Sequence, residues 1–220
     1  MAIIVFIGPP GAGKSTQMKL LAKLVRDAKI LNVKRGFLAS LLERALVRFI
    51  YGRYTSTYPL PLLLHGARVT LRKIIPLWYF INTMEIVARI TIMYIINKVF
   101  KKIFLVEDYI PAIIADYFYL QRQLNVPLTS IRRYITILTK FHILTQPKII
   151  VLTAQRQELL RRWNIRGRSE YSALYLSIFE KIIPLIATLL SKDSTHLLVD
   201  TTNMTIQETF HVLLRELAKT

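Results

Sequence analysis

A glycine-rich segment near the N-terminus constrains the fold of this chain more than any other feature. Residues 8–15, Gly-Pro-Pro-Gly-Ala-Gly-Lys-Ser, match the pattern G-x-x-x-x-G-K-[ST] at every fixed position. The apolar, β-branched run 2–7 before it predicts a buried strand, and the apolar residues of 14–27 recur at helical spacing. A strand, a glycine loop and a helix in this order predict a phosphate-binding loop, or P-loop.

The chemistry of such a loop explains its residue types. Glycines let several backbone N–H groups converge on one point, and the following helix adds its positive N-terminal end. Lys14 is expected to reach the β- and γ-phosphates, the Ser15 hydroxyl to bind Mg²⁺, and Thr16 to support the α-phosphate. The dinucleotide pattern G-x-G-x-x-G fails, because Thr16 stands where its last glycine belongs. The predicted nucleotide-binding residues are Gly8, Pro9, Pro10, Gly11, Ala12, Gly13, Lys14, Ser15 and Thr16.

The rest of the chain alternates between strand and helix patterns. Further strands are predicted at 29–33, 102–108, 148–153 and 195–202. This alternation indicates an α/β fold: a P-loop NTPase three-layer α/β/α sandwich with a mainly parallel five-stranded sheet and a helical insertion. Residues 1–220 are interpreted as a single domain in which 36–101 form the insertion.

Helical spacing predicts the elements between these strands. Helices are expected at 37–51, 62–100, 111–123, 130–142, from 155 onward, at 171–183 and from 205 to the end. Pro76 is expected to interrupt the helix of 62–100, and Pro184 is expected to kink or divide the helix that precedes it. Thr205 and Glu208 predict a capping box at the start of the last helix.

Two carboxylates end the third predicted strand. Mg²⁺ requires oxygen ligands beyond the serine, and Glu107 and Asp108 occupy the usual position for them. One of the two would orient the ion, and the other would accept a proton from an attacking hydroxyl. The sequence does not assign the two roles, so both residues are candidate metal ligands and candidate catalytic residues.

A cluster of arginines follows the fourth strand. Arg161, Arg162, Arg166 and Arg168 lie in "RRWNIRGR", and residues 161–170 are interpreted as a lid. Phosphoryl transfer spreads negative charge over the transferred group, and arginines can stabilise that charge. Arg162, Arg166 and Arg168 are therefore candidate catalytic residues beside Lys14; the alternative is a solvated basic face.

The motifs together resemble the nucleoside monophosphate kinases, and thymidylate kinases most closely. The matching pieces are "GPPGAGKSTQ", "LVEDY", "ELLRRWNIRGRSE" and "VDTTNMTIQE". The resemblance implies binding of ATP with Mg²⁺ and transfer of the γ-phosphate to a nucleotide or nucleoside acceptor held beside residues 36–101. In the family the third strand ends in Asp-Arg-Tyr, whereas here Asp108 replaces the arginine; Arg35 resembles the arginine of the family's Arg-Glu-Pro motif.

A second function class stays open beside the kinase. The formal net charge of +18 favours contact with polyanions through a basic surface. The chain is alternatively a P-loop ATPase or a nucleotide-gated binding module that acts on nucleic acid, a membrane surface or a protein partner. The apolar helices of 62–100 favour a homodimer. Glu85 and Arg89 are interpreted as an ion pair, with contact to an acceptor as the alternative.

Several other site classes are not supported by the sequence. It has no cysteine, and its four histidines show no ligand spacing. Residues 74–97 are the best candidate for a membrane span, but Glu85 and Arg89 lie in the middle of that segment. Residues 74–97 are therefore interpreted as a buried or half-buried helix, with membrane-surface contact as a lesser alternative. A cytoplasmic location is expected for the protein.

Overall fold

The computed structural model describes residues 3–25, 27–33, 36–52, 68–165, 173–190 and 196–218. Its strands are β1 (Ile3–Ile7), β2 (Lys29–Asn32), β3 (Phe104–Glu107), β4 (Lys148–Thr153) and β5 (His196–Asp200). Its helices are α1 (Lys14–Leu24), α2 (Phe37–Tyr51), α3 (Arg68–Phe100), α4 (Ile110–Leu124), α5 (Thr129–Thr145), α6 (Arg156–Ile165), α7 (Ala173–Leu190) and α8 (Ile206–Ala218).

The five strands form one parallel sheet in the order β2-β3-β1-β4-β5. Every residue of β1 is buried, as expected for a central strand covered on both faces. The register pairs Phe6 of β1 with Glu107 of β3. The carboxyl ends of these two strands therefore meet at one edge of the sheet, which is where ligands bind in open parallel sheets. The predicted α/β fold with a parallel five-stranded sheet is confirmed.

Two groups of helices cover the sheet. Helix α1 packs against α8, whereas α4 packs against α5 and α7. The capping box predicted for α8 is present: the Thr205 amide donates to the Glu208 carboxylate at 2.7 Å, and the Glu208 amide donates to the Thr205 hydroxyl at 3.2 Å. These two bonds satisfy backbone amides at the start of the helix that have no carbonyl partner within it.

Helices α2 and α3 lie between β2 and β3 in the chain and are joined to the domain by buried polar contacts. Asn82 accepts a bond from the Gly36 amide and donates to the Tyr117 hydroxyl, both at 3.1 Å. The Trp78 indole donates to Glu43 at 3.0 Å. Burial raises the pKa of Tyr117 to about 12, so its hydroxyl stays protonated. This network fixes α3 against α2 on one side and α4 on the other.

The expected interruption at Pro76 and the expected division at Pro184 are wrong. Helix α3 continues through Pro76, and α7 continues through position 184. The neighbours Ile75 and Tyr79 are fully buried, and the Pro76 carbonyl accepts a bond from the Tyr134 hydroxyl at 3.3 Å. Tertiary packing on both sides of Pro76 thus outweighs the loss of one backbone hydrogen bond. The predicted start of this helix at residue 62 lies outside the described residues.

Candidate functional site

The P-loop is shaped by glycines in conformations that other residues rarely adopt. Gly8, Gly11 and Gly13 have φ of 142°, 91° and 93°. A Cβ on Gly8 would lie 1.9 Å from the Leu152 carbonyl oxygen of β4. The loop can therefore pass this close to β4 only if residue 8 has no side chain.

Lys14 is buried at the first position of α1. Its ammonium donates to the carbonyls of Gly8 at 2.9 Å and Pro9 at 3.3 Å, and it lies 3.5 Å from Asp108. Helix α1 has no acidic residue in its first turn and no side-chain cap at Gly13. Its N-terminus thus places the amide end of a helix and a cation at the same point, which is the arrangement that binds phosphate.

The two carboxylates after β3 contact different partners. The Ser15 hydroxyl donates to Glu107 at 2.7 Å, whereas Asp108 faces the ammonium of Lys14. Asp108 has a left-handed backbone with φ of 54°, and its amide donates to the Phe6 carbonyl at 3.1 Å. The two consecutive carboxylates at this turn therefore contact two consecutive residues at the start of α1.

The donor set around Ser15 fits Mg²⁺. A hydroxyl and a carboxylate at hydrogen-bond distance are hard oxygen ligands of the kind that this ion takes with phosphates and water. Across the described ranges there is no group of three or more His, Asp or Glu side chains placed to hold a metal ion. An ion at Ser15 and Glu107 would therefore depend on nucleotide phosphates for most of its coordination.

Arg162 is held against the P-loop. Its guanidinium donates to the Gly11 carbonyl at 3.2 Å, to the Thr201 carbonyl at 2.7 Å and to Glu158 at 2.7 Å. Glu158 also binds Arg161, and hydrogen bonds from both arginines lower the Glu158 pKa to about 2. Glu158 thus stays ionised and orients both guanidinium groups. Of the predicted lid, Arg166 and Arg168 lie outside the described residues.

Trp163 is a contact of the P-loop that the sequence analysis missed. Its indole donates to the Pro10 carbonyl at 2.7 Å, and a Cβ on Gly11 would lie 2.9 Å from the same nitrogen. Only 3% of Trp163 is exposed. One feature of the sequence could have indicated this contact: Trp163 lies within a polar, arginine-rich stretch. A large apolar side chain in such a stretch requires a packing partner.

A cleft of about 480 Å³ opens beside the P-loop, and its lining includes residues 201–206 after β5. Gly13 and Thr16 form one wall, and Arg161 and Arg162 form another. Thr201 joins the two: its hydroxyl accepts from Arg162 at 3.1 Å and donates to the Thr153 carbonyl at 2.9 Å. Residues 199–208 carry the family-like motif "VDTTNMTIQE", but none of them was predicted as a site residue.

Glu85 performs a structural task. Its carboxylate accepts from the amides of Phe37 and Leu38 at the start of α2, the latter at 2.9 Å, and pairs with Arg89 at 2.9 Å. A Cβ on Gly36 would lie 1.9 Å from the same carboxylate. Glu85 therefore caps α2 and forms the ion pair expected from its spacing to Arg89. Arg35 lies outside the described residues.

The chain resembles known proteins in structure but matches none by sequence. No family model matches the sequence, and no curated protein matches it. Thymidylate kinase from Candida albicans superposes with a TM-score of 0.56 at 15% identity, over 99% of this chain and 91% of the kinase. Deoxyadenosine kinase from M. mycoides with bound dCTP gives a TM-score of 0.60 at 17% identity, over 99% of both chains. The same enzyme with bound dATP gives 0.60 at 16%. The chain therefore has the P-loop fold of thymidylate and deoxyadenosine kinases, as the resemblance of its motifs implied.

Proposed function

We propose that the protein is a nucleoside monophosphate kinase-like phosphotransferase that transfers the γ-phosphate of ATP to a nucleotide or nucleoside acceptor with Mg²⁺. One observation carries the proposal: the buried ammonium of Lys14 and the Ser15 hydroxyl each contact a different carboxylate at the joined ends of β1 and β3. A cation, a metal-binding pair and a proton acceptor at one helix N-terminus are the parts that phosphoryl transfer requires.

The contacts suggest a role for each carboxylate. Ser15 and Glu107 would hold Mg²⁺, which supplies charge neutralisation at the β- and γ-phosphates when bound. Lys14 would exchange the carbonyls of Gly8 and Pro9 for phosphate oxygens. Asp108 would accept the proton of the acceptor hydroxyl. The oxygen of that hydroxyl would bond to the γ-phosphorus while the bond between the γ-phosphorus and the β-phosphate oxygen breaks.

The cleft beside Thr201 is suited to the base of the nucleotide. It adjoins the P-loop, and the planar guanidinium groups of Arg161 and Arg162 line it. Guanidinium planes stack on aromatic rings, and the Asn203 side chain in the lining of the same cleft has an amide that can bond a base edge. The acceptor would lie on the other side of the loop, beside α2 and α3. The bound dCTP and dATP of the structural neighbours favour a deoxynucleotide-sized acceptor.

The test is a coupled ADP-release assay with ATP–Mg²⁺ against a panel of nucleoside monophosphates and nucleosides. We expect release that depends on one acceptor and is abolished in Lys14→Ala. Lys140→Ala, which changes an exposed lysine on α5, serves as the matched control for loss of one positive charge. Release at the same rate without any acceptor would contradict the kinase.

The P-loop ATPase or nucleotide-gated binding module is the second candidate, and one contact favours it. Asp108 pairs with Lys14 at the position where thymidylate kinases carry an arginine, so an acceptor phosphate would meet an acid there. In this case ADP release would be slow, indifferent to all acceptors and still lost in Lys14→Ala.

A further inference from the structure

Gln17 is a polar side chain buried where α1 packs against α8. It lies in the first turn of α1, directly after Thr16, and only 2% of it is exposed. Gln17 and Thr16 both line the cleft beside the P-loop. The proposed phosphate and metal contacts of Lys14, Ser15 and Thr16 do not involve Gln17. A buried amide at this place therefore requires its own explanation.

One atom of the Gln17 amide bonds α1 to the start of α8. Its Nε2 donates to the Ile206 carbonyl at 3.0 Å, across 189 residues of sequence. A carbonyl only accepts hydrogen bonds, so the nitrogen of the amide must be the atom that faces Ile206. Ile206 is the first residue of α8, and it belongs to the segment 201–206 that lines the cleft. Gln17 thus connects the helix of the P-loop directly to this segment.

The other atom of the amide has no partner. Gln17 Oε1 is buried and accepts no hydrogen bond from any residue in the described ranges. A buried acceptor without a donor destabilises a fold, whereas an apolar side chain of the same shape does not have this cost. Methionine is unbranched and similar in length, and it has no such oxygen. Methionine at position 17 should therefore stabilise the fold at least as well as glutamine does.

The wall of the cleft that follows β5 is held at both ends. At its start, the Thr201 amide donates to the Thr153 carbonyl of β4 at 2.8 Å. At its end, Gln17 holds the Ile206 carbonyl. Residues 203–205 between these attachments are exposed. Exposed backbone with few buried contacts opens at a low cost in free energy, so the shape of this wall depends on the two attachments.

We infer that Gln17 is a positioning residue that sets the distance between the P-loop and the wall of the cleft that would receive the base. The inference rests on the proposed function, which places the triphosphate at the P-loop and the base in this cleft. A nucleotide spans both places with a fixed length, so it binds most tightly when they are already held at the matching distance. In this role Gln17 does not touch the nucleotide, and it acts through Ile206.

The first experiment compares the binding of ATP–Mg²⁺ with that of inorganic tripolyphosphate and Mg²⁺ by isothermal titration calorimetry. Gln17→Met should weaken ATP binding about fivefold and leave tripolyphosphate binding unchanged, because tripolyphosphate has no base. The matched control is Met18→Leu, a conservative change at a fully buried neighbour on α1. This control should bind both ligands as the wild type does.

Thermal unfolding and hydrogen exchange of the proteins without ligand give two further measurements. The Tm of Gln17→Met should equal or exceed that of the wild type, because the unpartnered oxygen is removed and the Ile206 carbonyl keeps its bond within α8. The backbone amides of 203–206 should exchange faster in Gln17→Met than in the wild type. Exchange in β1 and α4 should not change. A residue that only filled space in the core would not produce this combination.

Several results would overturn the inference while the proposed function stands. They are an equal loss of ATP and tripolyphosphate binding in Gln17→Met, unchanged ATP binding, unchanged exchange at 203–206, and a large fall in Tm, which would assign Gln17 to the stability of the fold. A wild type that binds neither ATP nor tripolyphosphate would overturn the proposed function, and this inference with it.

Discussion

At the scale of single residues, neighbours in sequence acquire different environments. Glu107 contacts Ser15, and Asp108, which has a left-handed backbone, contacts Lys14. The sequence placed both carboxylates at the end of the third strand but could not distinguish them. The contacts with Ser15 and Lys14 make that distinction, and these two residues come from a distant part of the chain.

This difference predicts that the two acids can be separated kinetically. Glu107→Gln should raise the Mg²⁺ concentration at half-maximal ADP release by about tenfold, because it weakens one ligand of the ion. Asp108→Asn should leave that midpoint unchanged and lower kcat by about a hundredfold, as expected for a proton acceptor. The measurement is ADP release titrated with Mg²⁺ at saturating ATP. If Asp108→Asn moved the midpoint and Glu107→Gln did not, the proposed roles would be exchanged.

Gly8 supplies a second test at this scale. Gly8→Ala should destabilise the fold by at least about 3 kcal/mol, since a Cβ would overlap the Leu152 carbonyl at 1.9 Å. Gly52→Ala is the matched control: Gly52 also has positive φ, at 70°, but a Cβ there meets nothing within 4 Å. It should cost only about 1 kcal/mol of backbone strain. Urea unfolding of both variants measures the difference, and equal losses would contradict the steric argument.

At the scale of elements, burial against neighbours decides where helices end and which side chains are neutral. Helix α3 continues through Pro76 because Ile75 before it and Tyr79 after it are fully buried against the domain. The local sequence predicted a break, since proline lacks an amide, but local sequence carries no information on what packs against the helix. Element existence was predicted well, because each strand is a continuous apolar run and each helix an apolar stripe. Their ends and their interruptions depended on tertiary contacts.

The burial of α5 predicts a pH dependence of stability. Burial lowers the pKa of His142 to about 4, from 6.5 in an unfolded chain. The folded state therefore binds fewer protons than the unfolded state between these pH values, so stability contributed by neutral His142 is complete above pH 6.5 and is lost as the pH falls through 4. The loss approaches about 3 kcal/mol.

The measurement is the free energy of unfolding at a series of pH values for wild type and His142→Phe. The variant should lack this part of the acid destabilisation, so the wild type should lose about 3 kcal/mol more than the variant as the pH falls from 7 to 4. Substituting the exposed His211 with glutamine controls for removal of a histidine as such. Parallel curves for wild type and His142→Phe would show that the burial of His142 does not control acid stability.

At the scale of the whole molecule, the P-loop links distant parts of the chain. Arg162 and Trp163 of α6 contact Gly11 and Pro10, and Thr201 after β5 contacts Arg162. Arg162 contacts Gly11 across 151 residues of sequence, and Thr201 contacts Ala12 across 189, so α6 and the end of β5 both close on the loop. Nucleotide binding should consequently stabilise the whole sheet.

That linkage gives a further prediction. ATP–Mg²⁺ at a hundredfold excess over its Kd should stabilise the protein by about 2.7 kcal/mol. For a chain of this size the corresponding rise in Tm is roughly 5–10 °C. Thermal unfolding monitored by circular dichroism measures it. Lys14→Ala should lose the shift, and AMP, which lacks β- and γ-phosphates, should give little of it. An equal shift with AMP would contradict binding through the P-loop amides and Lys14.

The sequence by itself determined the P-loop, its flanking strand and helix, and the parallel α/β fold. These follow from local patterns: fixed glycine and lysine spacing, continuous apolar runs for buried strands, and helical stripes. Only the tertiary structure decided the partners of Glu107 and Asp108, the docking of Trp163 on Pro10, and the uninterrupted course of α3 past Pro76. Each of these depends on groups brought together from distant positions, whose contact energies have no counterpart in the spacing of neighbouring residues.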